Sequence, residues 1–110
     1  MYKATVLYGQ PDDPAAFDAY YESTHTPIVK KMPGLTGWTV SRFDPAASGA
    51  PSSYYLGAEL YAPSREALLA ALDSPEGHAA VEDIPNFASG GVTFLFGEVR
   101  TMIPVEGVRA

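Results

Sequence analysis

His25 stands in the run Tyr21-Glu22-Ser23-Thr24-His25-Thr26-Pro27 and is one of only two histidines in the chain. Imidazole is the side chain whose ordinary pKa lies near neutrality, so proton transfer is the first chemistry this run suggests. Tyr21 precedes His25 by four residues, which on a helix places phenol and imidazole on one stripe. The pair could act as acid and base, or the phenol could orient the imidazole. Pro27 removes a backbone donor just beyond, so a helix here must break or kink beside His25. That opens a structural role as well, in which His25 bonds a carbonyl freed by the proline.

Other chemistries find less support. Zero cysteines exclude disulfides, iron–sulfur clusters and thiolate zinc sites, and His25 and His78 show no metal-ligand spacing. No metal and no cofactor is therefore expected. No serine sits in a G-x-S-x-G setting, and Gly90-Gly91 leads into a strand rather than a helix, so neither a hydrolase elbow nor a phosphate loop is present. Tyr8, Trp38, Tyr54, Phe87, Phe94 and Phe96 could line a flat aromatic pocket for a planar hydrophobic ligand, or they could be plain core. His78, beside Gly77, is expected to be solvated.

The net charge is −6, with seven scattered basic residues, so a surface that tracks nucleic-acid phosphates is not expected. No apolar run approaches the about 20 residues a membrane span needs, and no signal-peptide pattern opens the chain. The expectation is a cytoplasmic protein folded as a single domain over residues 1–110.

Hydrophobic and polar residues alternate over residues 2–10, 35–44, 54–61 and 92–101, which reads as four strands. Asp13 before Pro14 caps a helix whose apolar positions are Phe17, Tyr20, Tyr21, Thr24 and Ile28, with Phe17, Tyr21, His25 and Ile28 turned toward a cleft. Ser64 caps a second helix and Ser74-Pro75 starts a short third one. The order β-α-β-β-α-β predicts an α+β, ferredoxin-like fold with helices on one face of a four-stranded antiparallel sheet. Strands three and four read as apolar or aromatic on both faces, which a half-solvated sheet would not be. A homodimer that packs sheet against sheet is the expectation, with a monomer bearing exposed tyrosines as the alternative.

The order Tyr21, His25, Pro27, then Pro33-Gly34-Leu35, Ser74-Pro75-Glu76-Gly77 and Asp83 resembles the EthD family of dimeric α+β barrel proteins across nearly the whole chain. The resemblance implies the same dimeric barrel, with the C-terminal tail reaching toward the partner. It also makes Asp83 the acidic position. A carboxylate near His25 would raise the imidazole's pKa and fix its tautomer; alternatively Asp83 bonds backbone amides at the helix-to-loop junction. Relatives of this barrel include lactone isomerases, polyketide cyclases and quinone-forming monooxygenases. By that likeness the chain would be a cofactor-independent enzyme acting on a small aromatic or polyketide-like carbonyl compound in catabolic or secondary metabolism. His25 would be its general base, positioned by Tyr21 or Asp83. The alternative is a non-catalytic protein that binds a small hydrophobic molecule beside a degradative enzyme, in keeping with the ether-degradation cluster from which the family takes its name. A third reading, haem held by His25, lacks any further signature in the chain.

Overall fold

The computed structural model describes residues 1–107, so the last residues of the C-terminal tail lie outside the described part. Four strands, β1 (Tyr2–Gly9), β2 (Gly37–Arg42), β3 (Tyr54–Ala62) and β4 (Val92–Glu98), form one antiparallel sheet in the order β2-β3-β1-β4. The chain after β1 runs through helices and returns as β2 two places away. β3 then fills the gap as the hairpin partner of β2. This is the split βαβ arrangement of ferredoxin-like α+β proteins.

The two-residue alternation of β1 turns Ala4, Val6 and Tyr8 to the helices, and all three are buried. Register extends this face across the sheet. Val6 lies opposite Ala58 on β3 and Phe94 on β4, and Tyr8 lies opposite Leu56 and Val92. The core fills the space between this face and α1 (Pro14–Tyr20), α2 (Thr26–Lys30), α3 (Arg65–Asp73) and α4 (Pro75–Asp83).

α1 starts as its sequence demands, with the Asp13 carboxylate accepting from the Ala16 amide at 3.2 Å and Pro14 in the first turn. Between α1 and α2 the backbone opens into a π-helical turn, Tyr21–His25, in which the Thr26 N–H donates to the Tyr21 carbonyl five residues back. The wider turn takes up the misfit that Pro27 would force on a tight helix. It also changes which residues are buried. In a regular helix a step of four residues drifts about 40° around the axis. The wide turn cancels that drift, so the buried stripe is Phe17, Tyr21, His25, Val29 and Met32. Thr24, expected on the apolar face, is exposed instead, and Ile28 is half-buried against the edge of the core.

Ser74 joins α3 to α4. Its hydroxyl donates to the Ala71 carbonyl at 2.6 Å and accepts from the Gly77 amide at 3.0 Å, so one side chain ends one helix and starts the next. Gly77 faces the carbonyls of Ala71 and Leu72 so closely that a β-carbon would collide with both. The Ser74-Pro75-Glu76-Gly77 run is thus a helix corner.

The sheet face turned away from the helices is less apolar than the strand patterns suggest. Thr5 and Thr39 both lie opposite Glu59, and Lys3 lies opposite Tyr61. The Lys3 ammonium and the Tyr61 hydroxyl each reach the Glu59 carboxylate at 2.9 Å. Leu7 and the exposed Leu95 flank this polar centre. Apolar side chains are also exposed at Val40, Val92 and Phe96 of the outer strands and, most strongly, at Met102, Ile103 and Val105 of the C-terminal arm.

Because the α3–α4 corner closes on backbone atoms, Gly77→Ala should destabilise the protein by about 1–3 kcal/mol, as overpacking does. Chemical denaturation compared with the half-buried control Gly97→Ala, where a β-carbon meets nothing, would measure it.

Candidate functional site

The π-helical turn and the end of α4 bring together two residues 58 positions apart. His25 Nδ1 lies 3.0 Å from Asp83 Oδ2, with both side chains almost fully buried. Asp83 is the last residue of α4, and the following short 3₁₀ turn, Ile84–Asn86, folds Asn86 back to donate to Oδ1 at 3.0 Å. Tyr20 donates its hydroxyl to the same oxygen at 2.6 Å. The carboxylate therefore receives three donors.

Charge states follow from these contacts. Burial alone would push the Asp83 pKa up, but the bonds from Tyr20, Asn86 and His25 outweigh it and hold the carboxyl below its ordinary value. Asp83 is thus an anion, and an anionic carboxylate can only accept, so Nδ1 carries the imidazole proton. For His25 burial is the dominant influence and pushes its pKa below the usual value, with Asp83 pulling the other way. Tyr20 and Asn86 already share the carboxylate's charge, which weakens that pull. The result is a neutral imidazole with Nδ1 tied to Asp83 and Nε2 left with a free lone pair.

His25 lines a cavity of about 30 Å³, walled mainly by apolar side chains from the sheet and helices, among them Val6, Leu60, Leu72 and Ile84. That is room for roughly two water molecules. Apart from His25, the residues with polar side-chain groups that line it are Tyr8 and Tyr21. Burial raises both phenol pKa values far above neutrality, so both remain protonated donors.

The expected site residues divide into three groups. His25, Tyr21, Tyr8 and Phe94 line the cavity. Asp83 meets His25 from behind. Phe17 and Phe87 form the packing around the site, Phe17 stacked on Tyr21 at 5.8 Å and Phe87 against the His25 ring at 4.7 Å. Tyr21 does not orient the imidazole through its hydroxyl; its ring leans on the His25 ring at 5.1 Å while the hydroxyl lies beside Tyr8 and the Trp38 indole. Trp38 is thus one layer from the cavity. Tyr54 pairs with Gly9 at the bulged end of β3, is substantially exposed and takes no part. His78 lies outside the site, its exposed ring 3.2 Å from Asp73. Tyr20 and Asn86 were not anticipated. Asn86 carried a local signal, three residues after Asp83 across Ile84-Pro85. Tyr20 is brought round by the helix wall and had none.

Fold and site together define a small α+β protein with a buried His–carboxylate pair at a cavity between helices and sheet. The match to the EthD domain over residues 10–91 identifies the chain as a member of the EthD family. It is 43% identical over 104 residues to an uncharacterised 11.0 kDa protein from the thcB–thcC intergenic region of Rhodococcus erythropolis, covering 94% of this chain and all of that one. An EthD family protein of known structure from Bacillus halodurans C-125 is 38% identical, with a TM-score of 0.85 over 91% of this chain and 99% of that one. An EthD-like protein from Ralstonia eutropha JMP134 is 26% identical, with a TM-score of 0.73 over 93% of this chain and 94% of that one. SnoaB, a cofactor-independent oxygenase from Streptomyces nogalater, shares the fold at 14% identity and a TM-score of 0.64, covering 94% of this chain and 96% of that one. Among the described residues no helix is long and apolar enough to cross a membrane.

The tautomer can be read directly. Nitrogen-15 imidazole NMR should place the His25 proton on Nδ1. In Asp83→Asn the amide can donate to Nδ1 and move the proton to Nε2. An Nε2–H tautomer in the parent protein would contradict the assignment.

Proposed function

We propose that the chain is a cofactor-independent enzyme in which His25 Nε2 removes a proton from a small aromatic or polyketide-like carbonyl compound. The carrying observation is the buried His25–Asp83 pair, which fixes the Nδ1 proton and leaves the basic nitrogen to a mostly apolar cavity. In the forward step Nε2 takes the acidic proton of the substrate, and the imidazolium formed is stabilised by the Asp83 carboxylate. Tyr20 and Asn86 hold that carboxylate in place and keep it ionised. The apolar walls exclude bulk water, so the developing charges are screened by the protein's own dipoles. That the same fold serves a cofactor-independent oxygenase is consistent with this chemistry, although that likeness extends to the fold alone.

A second reading, a protein that binds a hydrophobic metabolite for a neighbouring enzyme, draws support from the relative's place in the thcB–thcC region. Deuterium exchange separates the two. With enolisable aryl ketones in heavy water, the enzyme reading expects wash-in of deuterium at the carbon next to the carbonyl, slowed about 10²–10⁴-fold in His25→Asn. Binding without exchange would favour the second reading.

The pH dependence has a defined sign. His25 must be neutral to act, and its folded pKa lies below the ordinary 6.5, so exchange should persist into mildly acidic solution and fall only below that value. Stability should follow the same group. Between its folded pKa and 6.5 the unfolded chain binds more protons, so thermal stability should decline as pH drops through that window. His25→Asn should remove this slope, as melting curves at stepped pH would reveal.

We further read the protein as a homodimer. The open sheet face, with Lys3–Glu59 at its centre and Leu7 and Leu95 beside it, and the exposed arm bearing Met102, Ile103 and Val105 are surfaces that a second copy would cover. Sedimentation should return twice the 11.7 kDa chain mass, and an unchanging monomer at every concentration would refute the dimer.

A further inference from the structure

Tyr8 and Tyr21 come from different elements, β1 and the π-helical turn, yet both line one small cavity that His25 also lines, and their hydroxyls lie against each other. Both side chains are deeply buried and held by aromatic neighbours. Tyr8 packs edge-on against Phe17 at 5.6 Å and Tyr21 at 5.8 Å, and Phe17 stacks on Tyr21. Rings fixed in this way cannot swing their hydroxyls out to solvent. The Trp38 indole, itself a donor, lies beside Tyr21, and the Asp83 carboxylate is near enough to Tyr8 to help raise its pKa. Two phenols thus meet where the cavity wall holds neither lysine nor arginine.

We propose that Tyr8 and Tyr21 form a paired donor site for one oxygen of the ligand, placed opposite the basic Nε2 of His25. This extends the reading of His25 as a base and names the ligand class. The ligand carries an uncharged oxygen that gains negative charge when the proton leaves, as in a phenol or an enolisable ketone. A carboxylate or phosphate would enter with a full charge and find no cation. Burial keeps both phenols protonated throughout, so they donate to the developing oxyanion without surrendering a proton, and fixed donors of this kind strengthen as charge accumulates. The cavity is too small for an aromatic ring. The oxygen-bearing edge therefore enters first, and the remainder of the molecule stays on the Val81–Phe94 side, where Val81 lines the cavity and is 41% exposed.

The test uses para-substituted phenols of graded acidity, 4-methylphenol, phenol and 4-nitrophenol, with benzoate as the charged comparison. Trp38 is the only tryptophan and lies beside Tyr21, so its fluorescence reports binding. Affinity in the wild type should rise with phenol acidity, and benzoate should bind at least about tenfold more weakly than phenol. Tyr8→Phe and Tyr21→Phe should each weaken 4-nitrophenol about 5–30-fold and flatten the acidity dependence, with the melting transition retained. A structural role alone would leave that slope unchanged. Equal affinities in the wild type and both variants would overturn the donor pair, as would a wild-type protein that binds none of the phenols up to their solubility. The two readings fail separately. If His25→Asn stops deuterium exchange while both phenylalanine variants bind phenols normally, the base stands and the donor pair falls. If the variants flatten the slope while His25→Asn exchanges as before, the donor pair stands and the base falls.

Discussion

One buried carboxylate organises this molecule. Asp83 sits at the end of α4 with little access to water, where an unpaired charge would cost several kcal/mol. It is tolerated because Tyr20, Asn86 and His25 each bring it a donor. Two of those donors come from the first helical segment, so the requirement to satisfy Asp83 also ties α1 and the π-helical turn to α4. The same bond that settles the carboxylate selects the imidazole tautomer. Folding and chemistry therefore share one contact.

The consequences spread outward in order. A neutral imidazole with its Nδ1 occupied has one nitrogen free, and that nitrogen borders a cavity whose walls are mostly aliphatic and aromatic. The wide turn is what aims it. In an uninterrupted helix, Phe17, Tyr21, His25 and Val29 would wind off the core, and either the aromatic packing or the histidine would be lost. Pro27 makes the regular turn costly at that point, and the π-turn that replaces it keeps all four on the sheet side. The EthD likeness and the corner Ser74-Pro75-Glu76-Gly77 fit the same picture. The corner sets the direction of α4 and hence the place from which Asp83 reaches back.

Much of this was legible in the residues. Alternation located all four strands to within a few residues, and Asp13, Ser64 and Ser74 marked the helix starts where their side chains cap them. His25 and its four-residue relation to Tyr21 could be read from spacing. Asp83 came from the family resemblance. Local patterns could not supply the contacts between distant elements. Tyr20 next to Tyr21 looks like a second member of one apolar stripe, and only the packed helix separates a ring that binds a carboxylate from one that lines the cavity. Tyr54 suits a pocket wall by type, but a register shift at the end of β3 carries it away. The polar centre around Glu59 was written in the strands too, yet its weight emerges only when register sets Lys3, Thr5, Thr39 and Tyr61 around it.

A double-mutant cycle on His25 and Asp83 tests the central contact most directly, with His25→Asn, Asp83→Asn and the double variant compared by denaturant unfolding at neutral pH. Coupled side chains in one buried network should show an interaction energy of about 0.5–3 kcal/mol, the double variant losing less than the sum of the single ones. Strict additivity would mean that the two side chains do not depend on each other, and would contradict the organising role given to Asp83.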